Sequence, residues 1–301
     1  MGIDRFDDAD LPSGGRPAGR ADPPDDRGRQ DGGTPAEARG REEYHAALRA
    51  ETAAWDASAD RFRGLWAEYN RRWPPQERPA ADRPRDARGC WRGEGGRFLD
   101  RPVNEQLDRE CDRIVGRERD RLTPALREVE SQDPDRFLVG LEQRLKGRDR
   151  IKEKVFDDAK EHRRTPEEAL WQVPDAVRYT FWYNEARYTR GVLADIDRLK
   201  ERGFELLRLK NSWSHDQYKG INSQWVDADT GQRFEVQFHT RVSFEAKELT
   251  HDAYERLRSH QADEFEEMVL EAFQRKVCSA IPVPPGATDI PEYPGRGQHA
   301  R

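Results

Sequence analysis

Three cysteines, two methionines and no long apolar run are what this 301-residue chain has least of. Cys90, Cys111 and Cys278 are scattered and odd in number, which excludes a disulfide framework and a zinc knuckle. No stretch approaches membrane-spanning length, so no membrane partner is expected. The first residues, Met1-Gly2-Ile3-Asp4-Arg5-Phe6-Asp7, contain no apolar signal core, and a cytoplasmic location is the expectation. Only 34% of the residues are hydrophobic while 37% are charged, and the net charge of −6 gives no support for bulk nucleic-acid binding. Any anion site must therefore be a local cluster of basic residues.

The apolar residues that exist are unevenly spread. Residues 1–40 are rich in Gly, Pro, Asp and Arg and nearly devoid of large apolar groups, and read as a disordered tail. A helical region is expected over 41–132, with Tyr44, Leu48, Trp55, Phe62, Leu65, Trp66 and Tyr69 at helical spacings. A Pro- and Arg-rich linker near 72–90 interrupts it, and the helical pattern resumes from Val103 to Val129. Residues 137–278 form the main domain, and 279–301 an irregular tail.

Within the main domain, Leu138 to about Arg163 reads as a basic helix. Asp175 to Tyr183 is aromatic and β-branched, hence a strand. Val192, Ile196 and Leu199 mark an amphipathic helix ending at Gly203. Phe204–Leu209 and Gly220–Val226 are strand candidates, and Asp229-Thr230-Gly231 turns the chain into Phe234–Thr240. Two helices follow, one with Phe244, His251, Tyr254 and Leu257, the other with Phe265, Met268, Val269 and Phe273. This order predicts an α/β sheet of about four strands with helices on one side.

The most informative stretch is Phe234-Glu235-Val236-Gln237-Phe238-His239-Thr240. Alternation puts Val236 and Phe238 on one face and Glu235, Gln237 and His239 on the other, an acid-centred polar face suited to the floor of a cleft. Four clusters accompany it. Arg144, Arg148 and Lys152 would share one helical face, with Lys146 and Arg150 as a second row: a polyphosphate clamp, or else a solvated charged face. Asp175 stands at the mouth of the strand that carries Arg178. In the loop before Gly220, Tyr218 offers a stacking face and Lys219 a cation. Glu235, Gln237 and His239, with His251 on the next helix, complete the set. Two carboxylates holding Mg²⁺ against phosphates, with cations opposite, make up the general apparatus of phosphoryl-type transfer. A zinc site from His239, His251 and an acid lacks a compact ligand spacing.

Arg144-x-Lys146, Arg150 with Lys154, Asp175-Ala176-Val177-Arg178, Tyr218-Lys219-Gly220-Ile221-Asn222-Ser223, Glu235-Val236-Gln237-Phe238-His239-Thr240 and His251 occur in an order that resembles the synthetase domain of the RelA/SpoT family. The resemblance covers roughly Leu138 to Leu257. It implies a nucleotidyltransferase-like mixed sheet of about four to five strands with flanking helices. It also implies pyrophosphate transfer from ATP to the 3′-hydroxyl of a nucleotide such as GDP or GTP, with Mg²⁺ as cofactor. On that resemblance Arg144, Lys146, Arg150, Lys154 and Arg178 would grip ATP, and Asp175 and Glu235 would bind the metal. Glu235 would serve as base, with Gln237 and His251 in support. Tyr218, Lys219, Asn222, Ser223 and His239 would border the acceptor. Ile221 stands where the family has a guanine-stacking Tyr, so tRNA or adenine nucleotides enter as alternative acceptors. A silent nucleotide-binding or interaction module is the alternative of another class. A synthetase segment without a preceding hydrolase domain resembles small alarmone synthetases and RelA/SpoT-like toxin modules. The latter would imply an antitoxin or immunity protein and delivery to a target cytoplasm.

Overall fold

The computed structural model describes residues 35–74, 86, 88–258 and 262–294. The expected tail at 1–34 and most of the expected linker near 72–90 lie outside the described residues. The first helix, α1, runs Pro35–Arg72, taking in the last residues assigned to the tail. A small hairpin of β1 (Trp91–Arg92) and β2 (Phe98–Leu99) follows. Next come α2 (Arg101–Arg117), capped by the Asp100 carboxylate on Val103 N, and α3 (Thr123–Ser131). No helix among the described residues is long and apolar enough to cross a membrane.

A five-stranded sheet in the order β3-β4-β7-β6-β5 is the centre of the molecule. Its strands are β3 (Arg136–Val139), β4 (Arg178–Tyr183), β5 (Phe204–Asn211), β6 (Ile221–Asp227) and β7 (Arg233–Thr240). The β4–β7 pair is parallel and the other pairs are antiparallel. Between β3 and β4 lie α4 (Arg148–His162) and α5 (Pro166–Trp171); α6 (Tyr188–Glu201) connects β4 to β5. After β7 come α7 (Arg241–Arg258) and α8 (Glu264–Cys278), the latter capped by Asp263 on Glu266 N at 2.8 Å.

Two expectations are corrected. The segment from Leu138 to Arg163 is not one helix: residues 136–139 form the edge strand β3, and the helix begins only at Arg148. Gly140, with φ 66°, and Gly147, the residue before α4, break the pattern. Hence Arg144 and Lys146 lie on the approach to the helix and share no helical row with Arg148, Arg150 or Lys152. Nor do the helices cover one side only. Tyr179, Phe181 and Tyr183 share a face with Val236 and Phe238, and this face packs on α6 through rings such as Tyr188 on Tyr183 at 5.7 Å. The opposite face carries Arg178, Thr180 and Trp182 beside Glu235, Gln237 and His239, and α7 closes over it, Phe244 meeting Trp182 at 6.0 Å. Strand β7 is therefore buried on both faces, with Phe234, Val236 and Phe238 fully inaccessible. Each such side chain contributes about 1.5–3 kcal/mol relative to exposure.

The N-terminal elements belong to the same body. Trp91 Nε1 donates to Asp149 on α4 at 2.9 Å, and Arg97 grips Asp157 with two bonds of 2.8 and 2.7 Å. Helix α1 meets α7 through Trp55 on Glu245 and α8 through Tyr69 on Glu266 and Trp66 on Phe273. Among the described residues after α8, a short turn forms at Ala287–Asp289, and Leu209 on edge strand β5 exchanges both backbone bonds with Tyr293, at 2.7 and 3.0 Å.

Candidate active site

Parallel pairing of β4 with β7 sets Arg178 directly opposite Glu235, and alternation puts both side chains on the face under α7. Arg178 Nε donates to Glu235 Oε1 at 2.7 Å, and Gln237 Nε2 donates to the same oxygen at 2.8 Å. Asp175 sits in the short turn Pro174–Ala176 just before β4. That turn is pinned to the approach to α4 by Lys146 N donating to Ala176 O at 3.0 Å and Arg178 N to Arg144 O at 2.8 Å. Lys146 thereby places its Nζ 2.9 Å from Asp175 Oδ2; Lys154, from the second turn of α4, stands at 3.0 Å, and Arg178 Nη2 at 3.2 Å. Three cations from three elements converge on one buried carboxylate oxygen.

Electrostatics follow from this convergence. Burial works against an ionised Asp175, but Lys146, Lys154 and Arg178 outweigh it and hold the carboxyl far below the usual carboxylate range. Burial likewise opposes the charge of Arg178, yet Glu235 and Asp175 outweigh it and raise its pKa. Lys247, from α7, was absent from the sequence-based set. Its Nζ lies 3.3 Å from Gln237 Oε1 and 3.1 Å from Glu248 Oε1. A signal for it did exist in the sequence: Ser243, Lys247, His251 and Glu255 are four apart on α7, one helical stripe. Ser243 meets His239, Lys247 meets Gln237, and Glu255 meets Arg150 of α4 at 3.4 Å, which places His251 between them. His251 is 9% exposed, and neither ring nitrogen has a hydrogen-bond partner among the described residues. Burial lowers its pKa despite the acids nearby, so a neutral imidazole faces this space.

The other expected residues divide. Arg144 lies apart from the cluster: it donates to buried Glu118 at 2.5 and 3.3 Å and to Leu141 O at 2.7 Å. Arg150 engages Glu153 at 2.9 Å as well as Glu255. Tyr218 and Asn222 reach the polar face, where Tyr218 OH lies 2.9 Å from Asn222 Oδ1 and 2.9 Å from His239 Nε2. Lys219 turns back on its own loop, donating to Trp213 O at 2.7 Å and His215 O at 2.5 Å. His239 is fully buried, its Nδ1 2.9 Å from Ser243 Oγ, so it holds Tyr218 in place instead of bordering an acceptor. Gly220 makes this possible: its φ is 152°, and a Cβ there would come within 2.7 Å of the His239 ring. Ser223 is also misplaced by the sequence reading. It opposes Val236 on the apolar face and donates to Val236 O at 2.7 Å, because the register that brings Asn222 to the polar face turns Ser223 away. Ile221 shares that apolar face, opposite Phe238 and fully buried, so it says nothing about the acceptor base.

Magnesium was expected between Asp175 and Glu235. The two carboxylates are indeed brought together, but around the Arg178 guanidinium, with Asp175 Oδ2 already carrying three cations. Among the described residues no three His, Cys, Asp or Glu side chains form a metal-binding group. As arranged, these residues do not fit a metal shared by the two carboxylates.

The parallel pair β4–β7 thus carries Arg178 and Glu235, the turn before β4 supplies Asp175, and the Arg and Lys side chains gathered there are of the kind that bind anions. Among solved structures, the chain is similar to a GTP pyrophosphokinase family protein from Streptococcus pneumoniae (18% identity, 60% of this chain and 90% of that one, TM-score 0.41). It is also similar to small alarmone synthetase 1 from Bacillus subtilis (14% identity, 60% and 86% of the chains, TM-score 0.37). The same enzyme bound to its product pppGpp gives 16% identity, 60% and 87% coverage and a TM-score of 0.37. No protein-family model matches the chain, and no curated protein matches its sequence.

Proposed function

We propose that the chain is a pyrophosphokinase that moves the β,γ-diphosphate of ATP onto a hydroxyl of a nucleotide acceptor. The observation that carries this reading is the convergence of Lys146, Lys154 and Arg178 on Asp175, one guanidinium away from Glu235. Phosphate oxygens are the natural competitors of Asp175 for these three cations, since Arg forks and Lys point charges match them. In the reaction, the acceptor hydroxyl oxygen bonds to the β-phosphorus, the bond from that phosphorus to the α–β bridging oxygen breaks, and AMP leaves. The hydroxyl proton passes to the Glu235 carboxylate, which Arg178 and Gln237 hold in a fixed direction. The cations neutralise charge on the transferred group. His251, buried and with neither ring nitrogen bonded among the described residues, supplies one donor and one acceptor beside the same face. Tyr218 and Asn222, locked to each other, border the acceptor.

The test is incubation of the purified protein with γ-labelled ATP and Mg²⁺ and, separately, GDP, GTP, AMP, ADP or deacylated tRNA, with products separated by chromatography. Label passing to one acceptor with wild type and not with Glu235→Gln names the substrate. A Glu235→Gln variant that folds and turns over within about tenfold of wild type would remove Glu235 from the base role, since a general base contributes roughly 10²–10⁴-fold.

A further inference from the structure

Lys247 is a charged residue in a place where packing alone calls for an apolar one. Its neighbours on the inner face of α7, Val242 and Ala246, are both buried at 2% exposure. The Lys247 side chain is 5% exposed, whereas its ion-pair partner Glu248 is 38% exposed. A lysine serving only that pair would run its stem outward and keep its ammonium in water. Here the ammonium turns inward to Gln237 Oε1 at 3.3 Å, above the Phe244 ring at 4.8 Å. An ammonium can only donate, and an ionised carboxylate can only accept. Gln237 lies between one of each, which leaves its amide a single orientation: oxygen to Lys247, NH₂ to Glu235. The second donor on Glu235 Oε1 is thereby fixed opposite Arg178.

We propose that Lys247 is a positioning residue that orients Glu235 by holding the Gln237 amide. This rests on the reading of Glu235 as the base. Lys247 acts on Glu235 through Gln237, so its loss is expected to act on turnover rather than on ATP affinity.

The experiment has two arms. In the first, kcat and KM for ATP are measured for Lys247→Met, Gln237→Met, the double variant and Glu248→Gln. Lys247→Met is expected to lower kcat on the order of 10–100-fold, as loss of a supporting partner does at other sites, with KM for ATP unchanged. The double variant is expected to match Gln237→Met alone, because contacts in one network do not add. Losses that multiply, or a Glu248→Gln variant that reproduces the Lys247→Met loss, would overturn the proposal in favour of a structural ion pair. The second arm uses wild type alone: a through-hydrogen-bond NMR correlation between Lys247 ¹⁵Nζ and the Gln237 side-chain carbonyl carbon. Its absence overturns the proposal even where the variants fail to fold. Wild type that transfers nothing would sink the pyrophosphokinase reading separately, and the correlation would still decide whether Lys247 holds Gln237.

Discussion

Arg178 holds Asp175 and Glu235 together, and each neighbouring lysine relates to that group differently. Lys146, on the approach to α4, is 7% exposed, while Lys154 on α4 is 25% exposed. Lys154→Met should therefore leave the fold intact and raise KM for ATP by roughly tenfold, the loss of about one charge-assisted contact. Steady-state kinetics with ATP varied at saturating acceptor would show it. An unchanged KM would place the phosphates elsewhere. His239 gives a prediction of the opposite kind, about stability. Burial and the charge of Lys247 depress its pKa well below the ordinary value, so the folded protein holds it neutral. Below about pH 6.5 the unfolded chain takes up a proton that the folded chain refuses, so stability is complete above that pH and falls as pH decreases. Urea unfolding at pH 7.5 and 5.5 should show a loss in wild type of up to about 1.4 kcal/mol per pH unit from this residue. His239→Gln should lose less between the two pH values; an equal loss would show that His239 is not the group refusing the proton.

At the scale of elements, α7 has the site on one face and α1 on the other. Trp55 Nε1 donates to Glu245 at 2.6 Å near the start of α7, and Tyr69 OH bonds Glu266 at the start of α8, where Arg256 also meets Glu266. Trp66, Tyr69 and Trp73 stack between these ends at centroid distances of 4.7 and 5.0 Å. Trp55→Ala should cost about 3–5 kcal/mol, and Tyr69→Phe about 1 kcal/mol, both read from urea denaturation. A negligible cost for Trp55→Ala would mean that α1 does not brace α7. Much of this level was legible in the sequence. Strict alternation marked β7 and its polar face, Gly203 ended α6, and the aromatic spacing of α1 was visible. What escaped was decided by tertiary contacts. Strand β3 has four residues, too few for a period to declare itself, and exists because Phe137 and Leu138 can pair with Trp182 and Phe181. The acid, the two lysines and Arg178 of the cluster were legible by type and order. The burial of His239 and the turning away of Ser223 were not, because both depend on what covers each face of the sheet.

For the molecule as a whole, the open question at any five-stranded sheet is what protects its edges. On one side β3 is short, with four residues. On the other, β5 would present a long free edge if the segment after α8 did not cover it. That segment buries Ile281, Ala287 and Ile290, and its backbone pairs with Leu209 through Tyr293. Asn211 at the end of β5 is its anchor. The side-chain NH₂ donates to Ala287 O at 2.8 Å and Ile290 O at 2.9 Å, and the side-chain oxygen accepts from Trp213 N at 3.1 Å. Asn211→Ala removes the side-chain partner of Ile290 O and Trp213 N, and one of two donors to Ala287 O, in a buried setting and should cost about 2–3 kcal/mol. The loss should be local before it is global: hydrogen exchange should accelerate across 281–293 and at Leu209, while β4 and β7 keep their protection. Thr189→Val is the matched control. It removes one exposed bond to Pro285 O of 2.7 Å and should change stability by no more than about 0.5 kcal/mol. Unaltered exchange over 281–293 in Asn211→Ala would mean that the pairing with Tyr293, and not Asn211, holds the segment. Association of the variant at high concentration would show that the exposed β5 edge recruits a second chain.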